Sequence, residues 1–230
     1  MIQENIAFVE QNIKEACKRV NRNPEEVTLI AVSKTKPLSD IEEAIAYGMR
    51  EFGENKVQEL MDKIPKVSTP VHWHLIGHLQ TNKVKYIVDQ GLLIHSVDSV
   101  KLAREIQKEA EKKQVECDVL LEVNIAGEES KFGFSPEEVL SAVQEIATMP
   151  RVHIQGLMTI APFVENPEEN RSIFANLHKL LLDIKTRNID NVNMSVLSMG
   201  MTNDYEIAIE EGATMVRVGT AIFGTRNYNI

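Results

Sequence analysis

The chain has 230 residues with 25 Lys and Arg against 34 Asp and Glu, a formal net charge of −9. No basic block is interleaved with aromatics, which argues against nucleic acid as a main partner. A 43% hydrophobic content suits one domain with a sizeable core, no run reaches the roughly 18 apolar residues that span a bilayer, and Met1–Ile6 carries no basic leader.

The first element is an amphipathic helix with apolar positions Ile6, Val9, Ile13, Ala16 and Val20. Its Cys17, like Cys117 later, has no paired spacing, so both read as reduced thiols of a soluble cytoplasmic protein. A first strand over Val27–Ser33 ends at Lys34, an amine where a β-branched run gives way to a turn. Lys36, two residues on, reads as auxiliary charge or a fallback amine. Ser39-Asp40 stand ahead of the helical run Ile41–Ile45. A second strand, Glu51–Gly53, leads into Glu54-Asn55, and a third, Val71–Ile76, leads into Gly77-His78. His72 and His74 share a strand face, but no adjacent acidic or cysteine residue completes a ligand set, so hydrogen bonding is the reading and no metal is expected.

The fourth strand, Leu92–Ser96, ends in His95-Ser96, and the fifth, Val119–Asn124, ends in Asn124. Ser135-Pro136-Glu137-Glu138 opens a helix to Ala147. The sixth strand, His153–Met158, is followed by Thr159, and Asn166-Pro167-Glu168-Glu169 opens a helix to about Arg187. The seventh, Met194–Ser198, runs into Met199-Gly200-Met201, after which Glu206, Glu210 and Glu211 read as a solvated helix face. The eighth, Met215–Val218, carries Arg217 and leads into Gly219-Thr220.

Eight strand and helix units predict an α/β protein: a single (β/α)8 TIM-like barrel spanning residues 1–230 as one domain. A doubly wound open sheet would show a Gly-rich turn after the first strand, where this chain has Ser33-Lys34-Thr35-Lys36-Pro37.

In such a barrel the site lies at the C-terminal strand ends, and phosphate commonly binds the loops after the last two strands. Ser198 with Gly200, and Gly219 with Thr220, supply small residues and hydroxyls for a phosphate. A lysine at one strand end and a phosphate cradle at two others suggest a phosphorylated aldehyde held as a Schiff base, pyridoxal 5′-phosphate (PLP). Arg217 then faces the pyridine nitrogen and, being always protonated, leaves that nitrogen bare and the ring a weak electron sink. Asn55 and Asn124 either contact the ring or a ligand carboxylate or satisfy loop backbone. Met158, Met199 and Met201 are expected to pack beneath the ring.

The segments Ala31–Pro37, Phe52–Glu59, Trp73–Lys83, His95–Ser99, Lys131–Gly133, Gly156–Thr159, Leu197–Asp204 and Val216–Gly224 together resemble the PLP homeostasis proteins, single-domain relatives of the alanine racemase barrel. The resemblance covers nearly the whole chain. It implies PLP fold type III, a Schiff base on Lys34, phosphate contacts from Ser198, Gly219 and Thr220, and Arg217 at the ring nitrogen. It also implies no established turnover and no catalytic residue, but a role in PLP supply, storage or transfer with effects on amino-acid and keto-acid balance. PLP, apo PLP-dependent enzymes as recipients and small amino acids are the expected partners, and a monomer the expected state. The alternative is a weak amino-acid racemase or exchange enzyme. Against it, the chain ends before the C-terminal β domain that presents a catalytic tyrosine in alanine racemases, and none of Tyr47, Tyr86, Tyr205 and Tyr228 ends a strand.

Overall fold

Short runs of β-branched and apolar residues alternate with amphipathic segments, and each such strand buries both faces only if helices cover the sheet and the sheet closes. In the computed structural model, which describes residues 1–129 and 131–225, the strands close into an eight-stranded parallel barrel in sequence order. They are β1 (Thr28–Val32), β2 (Glu51–Glu54), β3 (His72–Leu75), β4 (Leu93–Val97), β5 (Cys117–Glu122), β6 (Val152–Met158), β7 (Val192–Ser198) and β8 (Met215–Val218). The seam is β1 against β8, in register from Thr28↔Met215 to Ala31↔Val218.

The helices are α1 (Ile2–Arg19), α2 (Leu38–Tyr47), α3 (Val57–Lys63), α4 (Val100–Lys113), α5 (Pro136–Ile146), α6 (Arg171–Lys185), α7 (Tyr205–Glu210) and α8 (Thr220–Phe223). Apolar positions of α1, Ile6, Val9, Ile13 and Ala16, are all buried. Asn5 Nδ2 donates to Ile222 O at 2.8 Å and Asn12 Nδ2 to the Tyr205 hydroxyl at 2.9 Å, so α1 is fastened to both elements beside the closing strand. Helix α5 starts on the Ser135/Glu138 capping box its sequence announces.

Several expectations shift. Fifth-strand pairing begins at Cys117 and ends at Glu122, two residues earlier than Val119–Asn124. The second strand extends to Glu54, while the first and third each lose a residue at both ends. Ser39 and Asp40 lie inside the first turn of α2, whose N-cap is Pro37. Tyr86 ends a 3-10 helix, Thr81–Tyr86. The helix expected from Asn166 to about Arg187 begins as a 3-10 turn, Pro167–Asn170, because Pro167 sits in the first turn and Asn166 accepts from Glu168 N–H at 3.2 Å. Glu206, Glu210 and Glu211 are not merely solvated: Arg19 pairs with Glu206 and Glu210, and Arg171 with Glu210 and Glu211. They stitch α1 and α6 to the α7 end.

Gly156 lets β6 lie against β7 where the register shifts; a Cβ there would stand 1.8 Å from Val196 O.

Candidate functional site

Lys34 follows the end of β1 in a tight turn closed by Lys36 N–H donating to Ser33 O at 3.0 Å. Its neighbour Thr35 has φ 63, a left-handed conformation that is strained for a β-branched residue and persists only where surroundings impose it. The surroundings are a buried charge cluster. The Ser33 hydroxyl donates to Glu54 Oε1 at 2.5 Å, and Thr35 N–H donates to Glu59 Oε1 at 2.6 Å. Lys63 Nζ donates to Ser33 O and Glu54 Oε1, each at 2.8 Å, and to Glu59 Oε1 at 2.6 Å. Both residues flanking Lys34 are thus held from α3 and β2, which fixes where the half-buried Lys34 leaves the backbone. Burial pushes the Glu54 carboxyl up against the pull of Lys63 and Ser33, and its Oε2 is buried without a partner.

Lys36 is neither spare charge nor a reserve amine. Its Nζ donates to Phe223 O at 2.8 Å and to Gly224 O and Thr225 O at 3.3 Å, so it clamps the Lys34 turn to the end of α8. At the same seam a Cβ on Gly219 would lie 3.3 Å from both Cβ and O of Val32, which keeps the β8 loop close to the end of β1. Gly200 is buried at φ 94, its O accepts Arg217 N–H at 2.9 Å, and a Cβ there would stand 2.6 Å from Ala208 Cβ. Thr220 is exposed at the start of α8. Thr202 Oγ1 reaches Ala221 N–H at 3.5 Å. Thr202 was not singled out from the sequence, although a hydroxyl two residues beyond Gly200 in the same loop is a signal that could have found it.

Ser198 ends β7, as the sequence places it, and its hydroxyl turns inward. Its side chain is fully buried, accepts from Arg217 Nη1 at 2.6 Å and lies 2.8 Å from His95 Nδ1, so its hydroxyl serves the barrel interior and not the loop. Arg217 Nη2 donates to Thr159 O at 2.9 Å. Arg217 is 4% exposed, and desolvation pulls its guanidinium down to about 10, against the fields of Glu122 and Asp204 that favour its charge. Glu122 ends β5, where burial and then the Asp98 charge push its carboxyl up to about 7. It lines a cavity of about 150 Å³ with Asn124, Lys131 and Phe132.

Met158 and Met199 are buried, whereas Met201 is 36% exposed and belongs to the rim. Asn55 is half-buried after β2, and its backbone is packed by Gly77, where a Cβ would stand 2.3 Å from Asn55 O. Asn124 serves its own loop: Oδ1 accepts from Gly127 and Glu128 N–H, and Nδ2 donates to Glu128 O. His72 and His74 do have an acidic neighbour, since Glu51 bridges them at 2.6 and 2.8 Å. No group of three or more metal-ligating side chains occurs among the described residues. Tyr228 lies outside the described residues.

The strand ends thus bring together an amine on a strained turn, a buried guanidinium, and small and hydroxyl residues across the β1–β8 seam. A family model described as "Alanine racemase, N-terminal domain" matches residues 5–227. The chain is 44% identical over 226 residues to a protein of Aquifex aeolicus named pyridoxal phosphate homeostasis protein, covering 98% of each. Its fold is similar to that of PipY of Synechococcus elongatus PCC7942, solved with PLP bound, at TM-score 0.84 and 34% identity, covering 97% of this chain and all of that one. It is also similar to an alanine racemase of Clostridium difficile 630 at TM-score 0.76 and 15% identity, covering 98% of this chain but 58% of the racemase, a likeness of fold.

Proposed function

Since the chain belongs to the alanine racemase N-terminal domain family and, within it, to the pyridoxal phosphate homeostasis proteins, we propose that it binds PLP reversibly through Lys34 and serves PLP storage or transfer. The carrying observation is the arrangement of donors at one barrel mouth. Lys34 leaves a turn immobilised on both sides, Arg217 is a buried cation with N–H groups beyond those given to Ser198 and Thr159, and Gly200, Thr202, Gly219 and Thr220 make a small, hydroxyl-bearing loop pair at the seam. That donor set suits an anionic, aldehyde-bearing aromatic ring.

Bound PLP supplies an electrophilic aldehyde. Lys34 would hold that group through its amine, with water lost on loading and taken up again on release. Gly219, Thr220 and Thr202 take the phosphate, Arg217 the ring nitrogen, and Asn55 and Met158 the ring's surroundings. Arg217 holds its own proton, so the ring nitrogen stays bare and carbanion chemistry is weak. This favours a carrier over a catalyst, passing PLP to apo-enzymes in the cytoplasm as a monomer. No helix among the described residues is long and apolar enough to cross a membrane.

Borohydride reduction of the PLP-loaded protein followed by peptide mass analysis should leave a pyridoxyl adduct on the Lys34 peptide. An unmodified Lys34 peptide overturns the covalent reading. Holo-protein mixed with an apo PLP enzyme should activate it faster than free PLP dissociates. The racemase alternative requires a second acid/base, yet Tyr47 OH donates to Glu10 and Tyr205 OH accepts from Asn12. Lys34-dependent deuterium exchange at Cα of an amino acid would restore that alternative.

A further inference from the structure

The barrel interior is not the apolar plug usual for this fold. A chain of side chains crosses it: Arg217 Nη1 to Ser198 Oγ at 2.6 Å, Ser198 Oγ to His95 Nδ1 at 2.8 Å, His95 Nε2 to His74 Nδ1 at 2.9 Å, and His74 Nε2 to Glu51 Oε2 at 2.8 Å. Glu51 opens β2, at the N-terminal end of the barrel, and its other oxygen meets His72 Nδ1 at 2.6 Å on a side chain 76% exposed. The path therefore runs from the face opposite the cofactor mouth to the guanidinium inside it.

Its direction follows from donor chemistry. Arginine only donates, so Ser198 accepts from it and has one proton to give, to His95 Nδ1. His95 must then carry its proton on Nε2 and donate to His74 Nδ1, which leaves His74 Nε2–H for the Glu51 carboxylate. The reverse order would need either His74 donating from both nitrogens on a side chain only 5% exposed, or a protonated Glu51, whose carboxyl, against the upward push of burial, is held below its ordinary range by His74 and His72. Burial holds His95 well below the ordinary histidine range, with the Arg217 charge acting in the same sense, so it is neutral. Every dipole points the same way, from a buried cation to a carboxylate.

We propose that Glu51, His74 and His95 are positioning residues that act on the cofactor ring through Arg217, by a hydrogen-bond relay of fixed polarity through the barrel interior. Its endpoint rests on the PLP reading above; the relay itself is a property of the chain. Ser198 and Thr159 O take two N–H groups of Arg217 in fixed directions, so the plane of the guanidinium is set from behind. The relay adds the polarity of Glu51 to a site where Glu122 and Asp204 are the other anions acting on Arg217.

Two measurements test this. Nitrogen-15 NMR of histidine-labelled, cofactor-free protein should show both His74 and His95 as Nε2–H tautomers, with Nδ1 accepting. A doubly protonated ring, or an Nδ1–H tautomer at either, overturns the relay. In PLP-loaded protein, His95→Gln can accept from Ser198 and donate to His74, keeping the polarity, whereas His95→Phe cannot. His95→Phe should retain PLP about tenfold less tightly and shift the visible band of the bound cofactor, with His95→Gln within about twofold of wild type. Equal retention and an unshifted band in His95→Phe overturn the coupling to the ring. Should His95→Phe fail to fold, Glu51→Gln must shift the same band, and an unmoved band overturns the coupling. A wild-type protein that forms no Lys34 adduct refutes the PLP reading and with it the coupling, while the tautomers still decide the relay.

Discussion

Replacing Lys63 with methionine should expose what holds the Lys34 turn in place. Lys63 is 6% exposed and its ammonium makes three bonds within 2.8 Å, to Ser33 O, Glu54 and Glu59. Methionine has similar length and no charge, so the packing survives while Glu54, itself 0% exposed, is left with the Ser33 hydroxyl as its remaining partner. Removing one member of a buried pair costs about 3–5 kcal/mol, which for a domain of this size lowers Tm by roughly 6–20 °C. The deficit depends on pH. Glu54 is already raised by burial and rises further without Lys63; the folded variant then binds a proton that the unfolded chain releases above about pH 4.3, and stability falls as pH climbs toward the folded value. The Tm loss measured by calorimetry should therefore be larger at about pH 8 than at about pH 5. Adding Glu54→Gln should recover part of it by removing the stranded charge. A Lys63→Met protein melting within about 1 °C of wild type would refute the reasoning, as would a double variant no more stable than the single one.

Gly77→Ala should displace Asn55, since the new Cβ would stand 2.3 Å from Asn55 O; weaker PLP retention with the Lys34 adduct still formed is the expected result, checked by dialysis and absorbance. Glu122 is pushed up to about 7, so its share of stability is greatest below the unfolded carboxylate range and is lost as pH rises toward 7, on the order of 3 kcal/mol at most. Urea titrations should show that decline in wild type and a flatter profile in Glu122→Gln. Cys17 and Cys117 are both buried, and burial pushes Cys117 up to about 11; neither should be alkylated by iodoacetamide in the native protein, and both should be in denaturant.

Much of the barrel was legible because parallel strands buried on both faces leave continuous apolar runs, as in Leu29–Val32 and Val119–Leu121. The residues ending those runs located the mouth, and Lys34, Arg217 and Gly219 all lie there. Partners were not legible. That Glu51 joins His72 and His74 depends on β2 lying beside β3, with Glu51 opposite His72 in register, which no spacing along the chain encodes. Ser198 is the last residue of the seventh strand in the sequence reading as in the structure, where it pairs with Met158; what no spacing along the chain encodes is that its side chain meets Arg217 and His95. Lys63 reads as an ordinary helical lysine; only the burial of Glu54 beside it reveals its task.

The clamp from Lys36 to the carbonyls at the end of α8 links positions 187 residues apart. It joins the first turn after the first strand to the last described helix, across the one strand pairing that closes the ring. Lys34 and Gly219-Thr220 sit on opposite sides of that closure, so the pocket they share does not exist in any partly assembled barrel. A ligand that needs both sides binds the closed form alone and stabilises it by an amount that grows with the logarithm of its free concentration over its dissociation constant. Cofactor loading would therefore act as a latch on the finished fold, and the free PLP concentration would set what fraction of the chain is closed.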